Sequence, residues 1–493
     1  MLDHRHVRRL FAVAALVLAT LVAPSAAGGA VFATADAGAD HTCAVRPGGA
    51  VYCWGIGRYG QLGVIGAVRA RTPLAVIGSY TAQQVSSGNG FWCELIVGGK
   101  VRCTGVNLRG QLGTGGTANQ QYPHDVVGLP SATRIEVGTA TSCAITVDGS
   151  LYCWGDGGRG ELGDGTLHFE PTPTPQKVPG IGPVTDVAVA NIHVCAVVQD
   201  RRVFCWGDTS EGKLGNPLTS PIANPDYVTG INDAIQVAAA DRHSCALRAS
   251  RTVWCWGNNR LGQLGSGNNT STRVPAQVQG LTDVAQIDAK AATSCAVRAD
   301  GTVWCWGEGK TGELGNGVRG NVNAPVQVQG VAGATQITVG LSHACAVTQS
   351  LATFCWGNNA TAQLGSGGLL GAAGVEPTGQ IVQDAVRGTA KFLPVPLAER
   401  GSTTRGGEVY LRLLRLSRRG SRCPTKADVT IRARGREIVR TARDIEKVEG
   451  GCAVTARLKL PKRTERAFRV VVVVRGKHLK TRKVNLRARV GQT

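Results

Sequence analysis

Methionine is missing after the first residue of this 493-residue chain, and aromatic side chains make up only 5% of it. The sequence holds no stacking-aromatic motif of the kind that grips single-stranded nucleic acid. No segment after Ala23 is long and apolar enough to cross a bilayer, which takes roughly 20 consecutive apolar residues. Three catalytic signatures are absent as well: there is no HExxH, no nucleophile elbow and no phosphate-cradling glycine loop. The carboxylates Asp156, Asp208, Asp226 and Asp241 sit on different loops, with no spacing that pairs an acid with a base. The chain therefore reads as a non-enzyme that needs no cofactor and no metal.

Acidic residues are scarce in only one region. Residues 1–390 hold 26 Lys+Arg against 25 Asp+Glu, whereas residues 391–493 hold 28 against 8. The excess positive charge thus belongs to the C-terminal fifth, and two parts of different character meet near residue 390. With 43% hydrophobic residues the chain can bury a core.

At the N-terminus, Arg5, Arg8 and Arg9 precede an apolar run from Leu10 to Ala23 and then Pro24-Ser25-Ala26-Ala27. A basic flank, an apolar stretch too short for a membrane anchor and a small-residue cleavage site describe an export signal over 1–27. Arg8-Arg9 also fits a twin-arginine signal, but disulfides made after export favour the general secretory route. The expected location is secreted or bound to the cell envelope, with no transmembrane segment in the mature chain.

Fourteen of the 16 cysteines form pairs spaced C-x9-C. They are Cys43 with Cys53, Cys93 with Cys103, Cys143 with Cys153, Cys195 with Cys205, Cys245 with Cys255, Cys295 with Cys305 and Cys345 with Cys355. Successive pairs step by 50, 50, 52, 50, 50 and 50 residues, so the chain is a seven-fold repeat. In the sixth repeat, Ala299-Asp300-Gly301 fits a three-residue hairpin loop in which Gly301 supplies a positive φ. Pairing Arg298 with Thr302 sets Val297 opposite Val303 and Cys295 opposite Cys305, where Cα atoms approach to about 4.5 Å. That separation suits a disulfide. Structural zinc pairs sit about two to four residues apart, so seven hairpin disulfides are the expectation.

Each repeat adds an alternating segment before the hairpin, such as Ile135-Glu136-Val137 or Ile337-Thr338-Val339. After it come Trp-Gly, a variable quartet, Gly-Gln/Glu/Lys-Leu-Gly and a further strand such as Ala276–Gly280. Four short strands in about 50 residues, seven times over, describe an all-β, seven-bladed β-propeller over 28–386 rather than a solenoid.

Trp256-Gly257-Asn258-Asn259-Arg260-Leu261-Gly262-Gln263-Leu264-Gly265, preceded by His243-Ser244-Cys245-Ala246, resembles the regulator of chromosome condensation repeat family. The resemblance covers roughly 31–386 and implies a seven-bladed propeller. The family's founding member exchanges nucleotide on the small GTPase Ran through a wedge inserted in one blade; the near-constant repeat step here leaves no room for one. The family also includes beta-lactamase inhibitory protein II, an exported bacterial propeller that binds an enzyme with one face. This chain is similar to it in repeat number and compartment and departs from it in its cysteine ladder and basic tail.

Three departures from the repeat stand out. Repeat two has Thr104 where Trp is usual and Trp92 where Ser or Thr is usual, so the indole moves to the facing strand and keeps its surroundings. Glu94 replaces a repeated Ala, and an exposed blade position is expected for it. Ala362 replaces a repeated Gly; if that position needs φ > 0, it costs about 1 kcal/mol or more. His41, His193, His243 and His343 recur at one repeat position on blades one, four, five and seven, and are expected to bond to backbone rather than to share an ion.

The variable quartets end in Arg58-Tyr59, Leu108-Arg109, Gly158-Arg159, Ser210-Glu211, Arg260-Leu261, Lys310-Thr311 and Ala360-Thr361. A propeller sets equivalent loops around one face. The candidate binding ring is therefore Arg58, Tyr59, Arg109, Arg159, Glu211, Arg260 and Lys310, suited to an acidic partner.

Residues 387–405 read as a linker. Beyond it, Cys452, Val454, Ala456, Leu458 and Leu460 alternate with Ala453, Thr455, Arg457 and Lys459; Val484, Leu486, Ala488 and Val490 alternate likewise. This pattern suggests a small basic β-sandwich over 406–493, closed by a bridge between Cys423 and Cys452, that attaches to anionic envelope polymer or lipid headgroups. The expected whole is a monomeric binding module for a protein or an anionic envelope polymer, with no specific nucleic acid. The alternatives are a regulator of a partner protein (an enzyme inhibitor, or guanine-nucleotide exchange by family analogy) and a hydrolase or lyase at the propeller mouth.

Overall fold

The computed structural model describes residues 30–217, 222–367 and 375–382, and the backbone of six strands between Glu408 and Arg489. The export signal, the linker and the bridge expected between Cys423 and Cys452 lie outside the described residues. From Thr34 to Ile381 the strands form seven separate four-stranded antiparallel sheets, each using four consecutive strands. The sixth is representative: Val284–Lys290 innermost, then Thr293–Arg298, Val303–Gly307 and Val322–Gln327 at the rim.

The hairpin register is the one read from the spacing. Cys295 faces Cys305 and Val297 faces Val303. Gly301 has φ +78° and donates to the Arg298 carbonyl at 2.9 Å. Short Cα separations across such a pair suit disulfide closure, and all seven expected bridges are present. Cys53 is bonded to Cys43, Cys103 to Cys93, Cys153 to Cys143 and Cys205 to Cys195. Likewise Cys255 is bonded to Cys245, Cys305 to Cys295 and Cys355 to Cys345. Their Cα–Cα separations are 4.0–4.1 Å, somewhat closer than the spacing argument gave.

One detail differs. The rim strand of blade five is Thr272–Gln277, and Ala276–Gly280 supplies only its end. Val278 is turned into the core there, its N–H bonded to the Val253 carbonyl, and Gly280 has φ +67°.

The core lies between blades rather than at one centre. Leu264, Val278 and Leu281 of blade five pack against Val284, Ile287 and Trp306 of blade six, and the other interfaces repeat the pattern. Each interface encloses a fully buried tryptophan whose indole N–H donates to a loop carbonyl of the preceding blade. Examples are Trp256 to Lys213 (2.8 Å), Trp306 to Gln263 (2.9 Å) and Trp356 to Glu313 (2.7 Å). Trp92 makes the same bond, to Gln61 at 2.8 Å, from the other strand of its hairpin, with Thr104 facing it. The exchange inferred from the sequence is real.

The ring closes without borrowing a strand. Blade seven packs on blade one with the contacts used elsewhere: Trp54 donates to the Gln363 carbonyl at 2.8 Å, and Phe32 N–H to the Leu351 carbonyl at 2.9 Å. A final bond from Ala30 N–H to the Val382 carbonyl (2.8 Å) ties the two ends of the propeller together.

The six C-terminal strands pair antiparallel in the order Glu408–Leu414, Gly451–Lys459, Arg436–Val448, Lys426–Ala433, Ala467–Gly476, Leu479–Arg489. The alternating segments around Val454 and Leu486 fall on these strands as expected.

Candidate functional site

In every blade the second strand runs away from the turn that follows the innermost strand, and the third runs back to it. The variable quartets, which follow the third strand, therefore all emerge at one end of the propeller, beside those inner turns. Backbone bonds fix the pairing: Asn258 N–H to the Arg242 carbonyl and Glu308 N–H to the Ala292 carbonyl, both at 2.9 Å.

Side-chain hydrogen bonds hold these loops in shape, with an asparagine at the second quartet position in blades two, five and seven. Asn259 accepts from Leu264 N–H at 2.9 Å and donates to the Asn268 and Thr270 carbonyls, closing the loop over itself; Asn107 does the same in blade two. The Gln or Glu of the Gly-Gln/Glu-Leu-Gly segment accepts the N–H of the last quartet residue: Tyr59 to Gln61, Arg109 to Gln111, Arg159 to Glu161. Burial pushes the Glu161 carboxyl up to about 7. Blade four has Lys213 at this position, which has no acceptor. Buried there, Lys213 donates instead to Asp208 at 2.5 Å and to Ser210 at 2.7 Å, and Glu211 adopts φ +62°.

On these fixed loops Arg58, Tyr59, Arg109, Arg159, Arg260 and Lys310 are exposed, and Glu211 is half-buried. Several of them link adjacent blades. Arg109 stands 3.7 Å from Asp156, Arg159 stands 3.5 Å from Asp208, and Glu211 meets Arg242 at 3.0 Å as well as Asn258. Lys310 pairs with Glu308 of its own blade at 3.6 Å. Ion pairs between exposed groups contribute about 0–1 kcal/mol, so the pairs of Arg109 and Lys310 yield readily to a competing carboxylate, whereas Asp208 is buried and also held by Lys213. Asp156 and Asp208 serve as inter-blade partners.

The propeller axis is lined by two rungs of side chains. Nine residues before the first cysteine of a pair, Gln236 and Gln286 each bridge the N–H and C=O of the next inner strand, at Ile287 and Ile337. Two residues further on, Asp36, Ser86, Asp288 and Thr338 accept from Ser87, Val137, Val339 and Ala37 N–H. Glu136 accepts from Ser86 and Arg134, and Arg134 also pairs with Asp186 at 2.9 Å. Burial raises these carboxyls; Glu136 is pushed up to about 7 and Asp288 to about 6.

One axial residue escaped the sequence reading. Lys290 stands five residues before its cysteine, where the other repeats have Gly38, Gly88, Gly138, Ala190, Ala240 and Gly340. Its ammonium crosses the axis to the Ala37 carbonyl (3.0 Å) and the Ser87 carbonyl (2.8 Å), on blades one and two. The end of the channel beside the quartets is thus spanned by a lysine. A signal was present in the sequence, a long side chain at a position otherwise small, but its meaning depends on where the axis lies.

Two expectations are corrected. Glu94 is fully buried, not exposed: it pairs with Arg102 across the hairpin and accepts from Ser79. Arg102 occupies the position of Tyr52, Tyr152 and Trp254, so repeat two exchanges an Ala–aromatic pair for a Glu–Arg pair. The recurring histidines bond to a hydroxyl of the next blade rather than to backbone. His193 meets Ser244 at 2.8 Å, His243 meets Ser294 at 2.7 Å and His343 meets Thr42 at 2.8 Å. The hydroxyl passes the bond to the same loop carbonyl that the tryptophan uses. His41 faces blade two, where Trp92 replaces that hydroxyl, and neither of its ring nitrogens has a partner. Burial pushes His41, His243 and His343 down to about 3. Among the described residues no group of three or more His, Cys, Asp or Glu is placed to hold a metal ion.

Comparison with known proteins agrees with this architecture. The RCC1-like domain matches residues 99–385, and the regulator of chromosome condensation (RCC1) repeat matches residues 33–61 and 48–93. No curated protein matches the sequence. Among solved structures, Prp20p from Saccharomyces cerevisiae, described with its binding properties to Gsp1p and histones, is 20% identical, with a TM-score of 0.61. The match covers 72% of this chain and 88% of that one. Human WBSCR16 is 22% identical with a TM-score of 0.61, covering 71% of this chain and 96% of its own. The same yeast protein bound to Kap60 is similar over 74% of this chain and 87% of its own, at 20% identity and a TM-score of 0.61.

Proposed function

Since the chain belongs to the RCC1-like domain family, we propose that it is an exported, non-enzymatic propeller that binds a protein or an anionic envelope polymer with its ring of loops. The observation that carries this reading is the ring itself. Seven loops of differing sequence emerge on one face, and five of them present an exposed Arg or Lys. Variable residues on a fixed scaffold are how binding surfaces are built. The seven disulfides and the N-terminal pattern support export, since such bonds persist in oxidising compartments.

The C-terminal module acts in this reading as an electrostatic anchor to the envelope. The long strand Arg436–Val448 pairs with Lys426–Ala433 up to Asp444 and with Gly451–Lys459 from Ile445 onward. A strand that changes partners in this way supports a two-layer sandwich. The Lys290 span and the use of axial carboxylates as acceptors for backbone N–H weigh against catalysis at the loop-side mouth. A second reading, regulation of a partner protein, draws support from the similar fold of Prp20p and its described binding to Gsp1p and histones.

The test is affinity capture by the full exported chain from envelope fractions and culture medium. A parallel column carries Arg58, Arg109, Arg159 and Arg260 all changed to Ser. A ligand kept by the native chain through a salt gradient and lost by the variant supports the ring. Equal retention by both columns removes it, and release from both by salt alone assigns the binding to the basic module.

A further inference from the structure

We propose that the sector of the loop ring on blades one to three is a protein-docking surface, and that its partner presents an apolar centre rimmed by Asp and Glu. The proposal rests on the loop ring being the binding face, and it adds where on that ring binding occurs and to what.

The ring is not uniform. Its exposed aromatic side chains, Tyr59 (52% exposed) and Phe169 (75%), lie on blades one and three with Leu108 (69%) of blade two between them, whereas blades six and seven present the aliphatic Val318 and Leu341. The matching quartets of blades four to seven end in Ser210-Glu211, Arg260-Leu261, Lys310-Thr311 and Ala360-Thr361, with Leu261 half-buried. The seven interface tryptophans are buried, and Trp254 and Trp304 are partly so. In a chain so poor in aromatics, two exposed rings on one sector of one face are a concentration that folding does not require.

The three side chains share one surface. The Tyr59 ring lies over Gly90 of blade two: a Cβ there would stand 3.6 Å from Tyr59 Cδ2 and 3.1 Å from Val106 Cγ2. Val106 is two residues before Leu108. Gly110, two residues after it, packs on Pro173 in the rim strand His168–Lys177, which also carries Phe169. Arg58, Arg109 and Arg159 alternate with these apolar groups along the same sequence of loops. Arg109 forms a weak, partly exposed pair with Asp156, and Arg159 stands 3.5 Å from the buried Asp208, which Lys213 also holds.

Aromatic side chains interleaved with arginine are the composition that dominates binding energy in protein interfaces, where the aromatic fills a pocket and the guanidinium meets a carboxylate. An anionic polymer would use the arginines and leave Tyr59, Leu108 and Phe169 in water. A protein with an apolar patch and an acidic rim uses both.

The probe is a phage-displayed library of random dodecapeptides panned on the full disulfide-bonded chain. The expected result is enrichment of peptides that combine aromatic or aliphatic residues with at least two carboxylates and stay bound at raised salt. Their affinity should fall about tenfold or more in the Tyr59→Ser, Phe169→Ser variant. It should hold in a Val97→Ser, Val147→Ser variant, which removes exposed valines from the opposite, hairpin face. Purely acidic peptides released by salt would overturn the partner class and leave the loop ring standing. Loss confined to an Arg260→Ser, Lys310→Ser variant would overturn the sector and, again, spare the ring. No enrichment, or binding indifferent to every loop substitution, overturns the sector and the ring together.

Discussion

Trp92 and Gln61 are joined by an indole N–H to carbonyl bond of 2.8 Å that spans blades two and one. Six other repeats make this bond from the third strand, and repeat two makes it from the second. The interface thus specifies an indole in one volume and accepts either strand as its source. Trp92→Ser alone should cost about 3–5 kcal/mol, the usual loss for emptying a buried tryptophan site. Adding Thr104→Trp should recover most of it, because the double variant restores the repeat pattern and gives His41 the hydroxyl it lacks. Denaturant unfolding of the two single variants and the double would show the coupling; additive losses would mean that the two positions do not share one volume.

The same residues show how far a sequence can be read. Trp92 and Thr104 were interpretable because their numbers sum as those of Cys93 and Cys103 do, so hairpin register alone placed them face to face. Glu94 was misread because a lone substitution does not reveal burial. The compensating change at Arg102 lay across the hairpin, and neither residue is informative without the other. Lys290 was missed for a further reason. Its importance comes from reaching across the ring to Ala37 and Ser87, more than 200 residues away in sequence. Repeat spacing encodes what happens within a blade and between neighbours, and nothing in it marks the axis.

Ala362 has φ +71°, and its six counterparts are glycines with φ between +78° and +97°. An L-residue held there is strained by about 1–2 kcal/mol, partly offset by the lower entropy of alanine in the unfolded chain. Ala362→Gly should therefore stabilise the propeller by about 0.5–1 kcal/mol. Gly262→Ala should destabilise it by more, since the new Cβ would stand 2.5 Å from the Val322 carbonyl. Thermal unfolding of the two variants should move in opposite directions; a shared direction would place the strain elsewhere.

The axial carboxyls make stability depend on pH. Glu136 is raised from 4.5 to about 7 by burial, against the opposing charge of Arg134 and with help from Asp36, Asp186 and Asp288. Asp288 is raised from 3.8 to about 6 by burial and by Asp36. A carboxyl whose folded pKa lies above its unfolded value binds more protons when folded. The stability it contributes is complete below the unfolded pKa and is lost as pH climbs through the folded one. Unfolding midpoints should accordingly fall between about pH 5 and pH 8, with a loss on the order of 3 kcal/mol attributable to Glu136. Glu136→Gln keeps the acceptor and removes the titration, so its midpoint should change less over that window. An equally steep profile in the variant would point to other groups.

Lys290 extends that argument because its ammonium is the positive charge that opposes the raised carboxyls of Asp36 and Asp288. Lys290→Met keeps most of the stem and removes the charge together with both bonds to the Ala37 and Ser87 carbonyls. Leaving those carbonyls without their donor should cost about 1–3 kcal/mol at any pH. The electrostatic part should behave differently. Without the ammonium the ionised forms of Asp36 and Asp288 are less favoured, their folded pKa values rise further, and more stability is lost on going from about pH 5 to pH 8. The variant should therefore unfold earlier than the native chain at both values, with the wider gap at the higher one. A gap that stays constant would reduce Lys290 to a pair of hydrogen bonds, and a gap that narrows would contradict its role as the counter-charge of the axis.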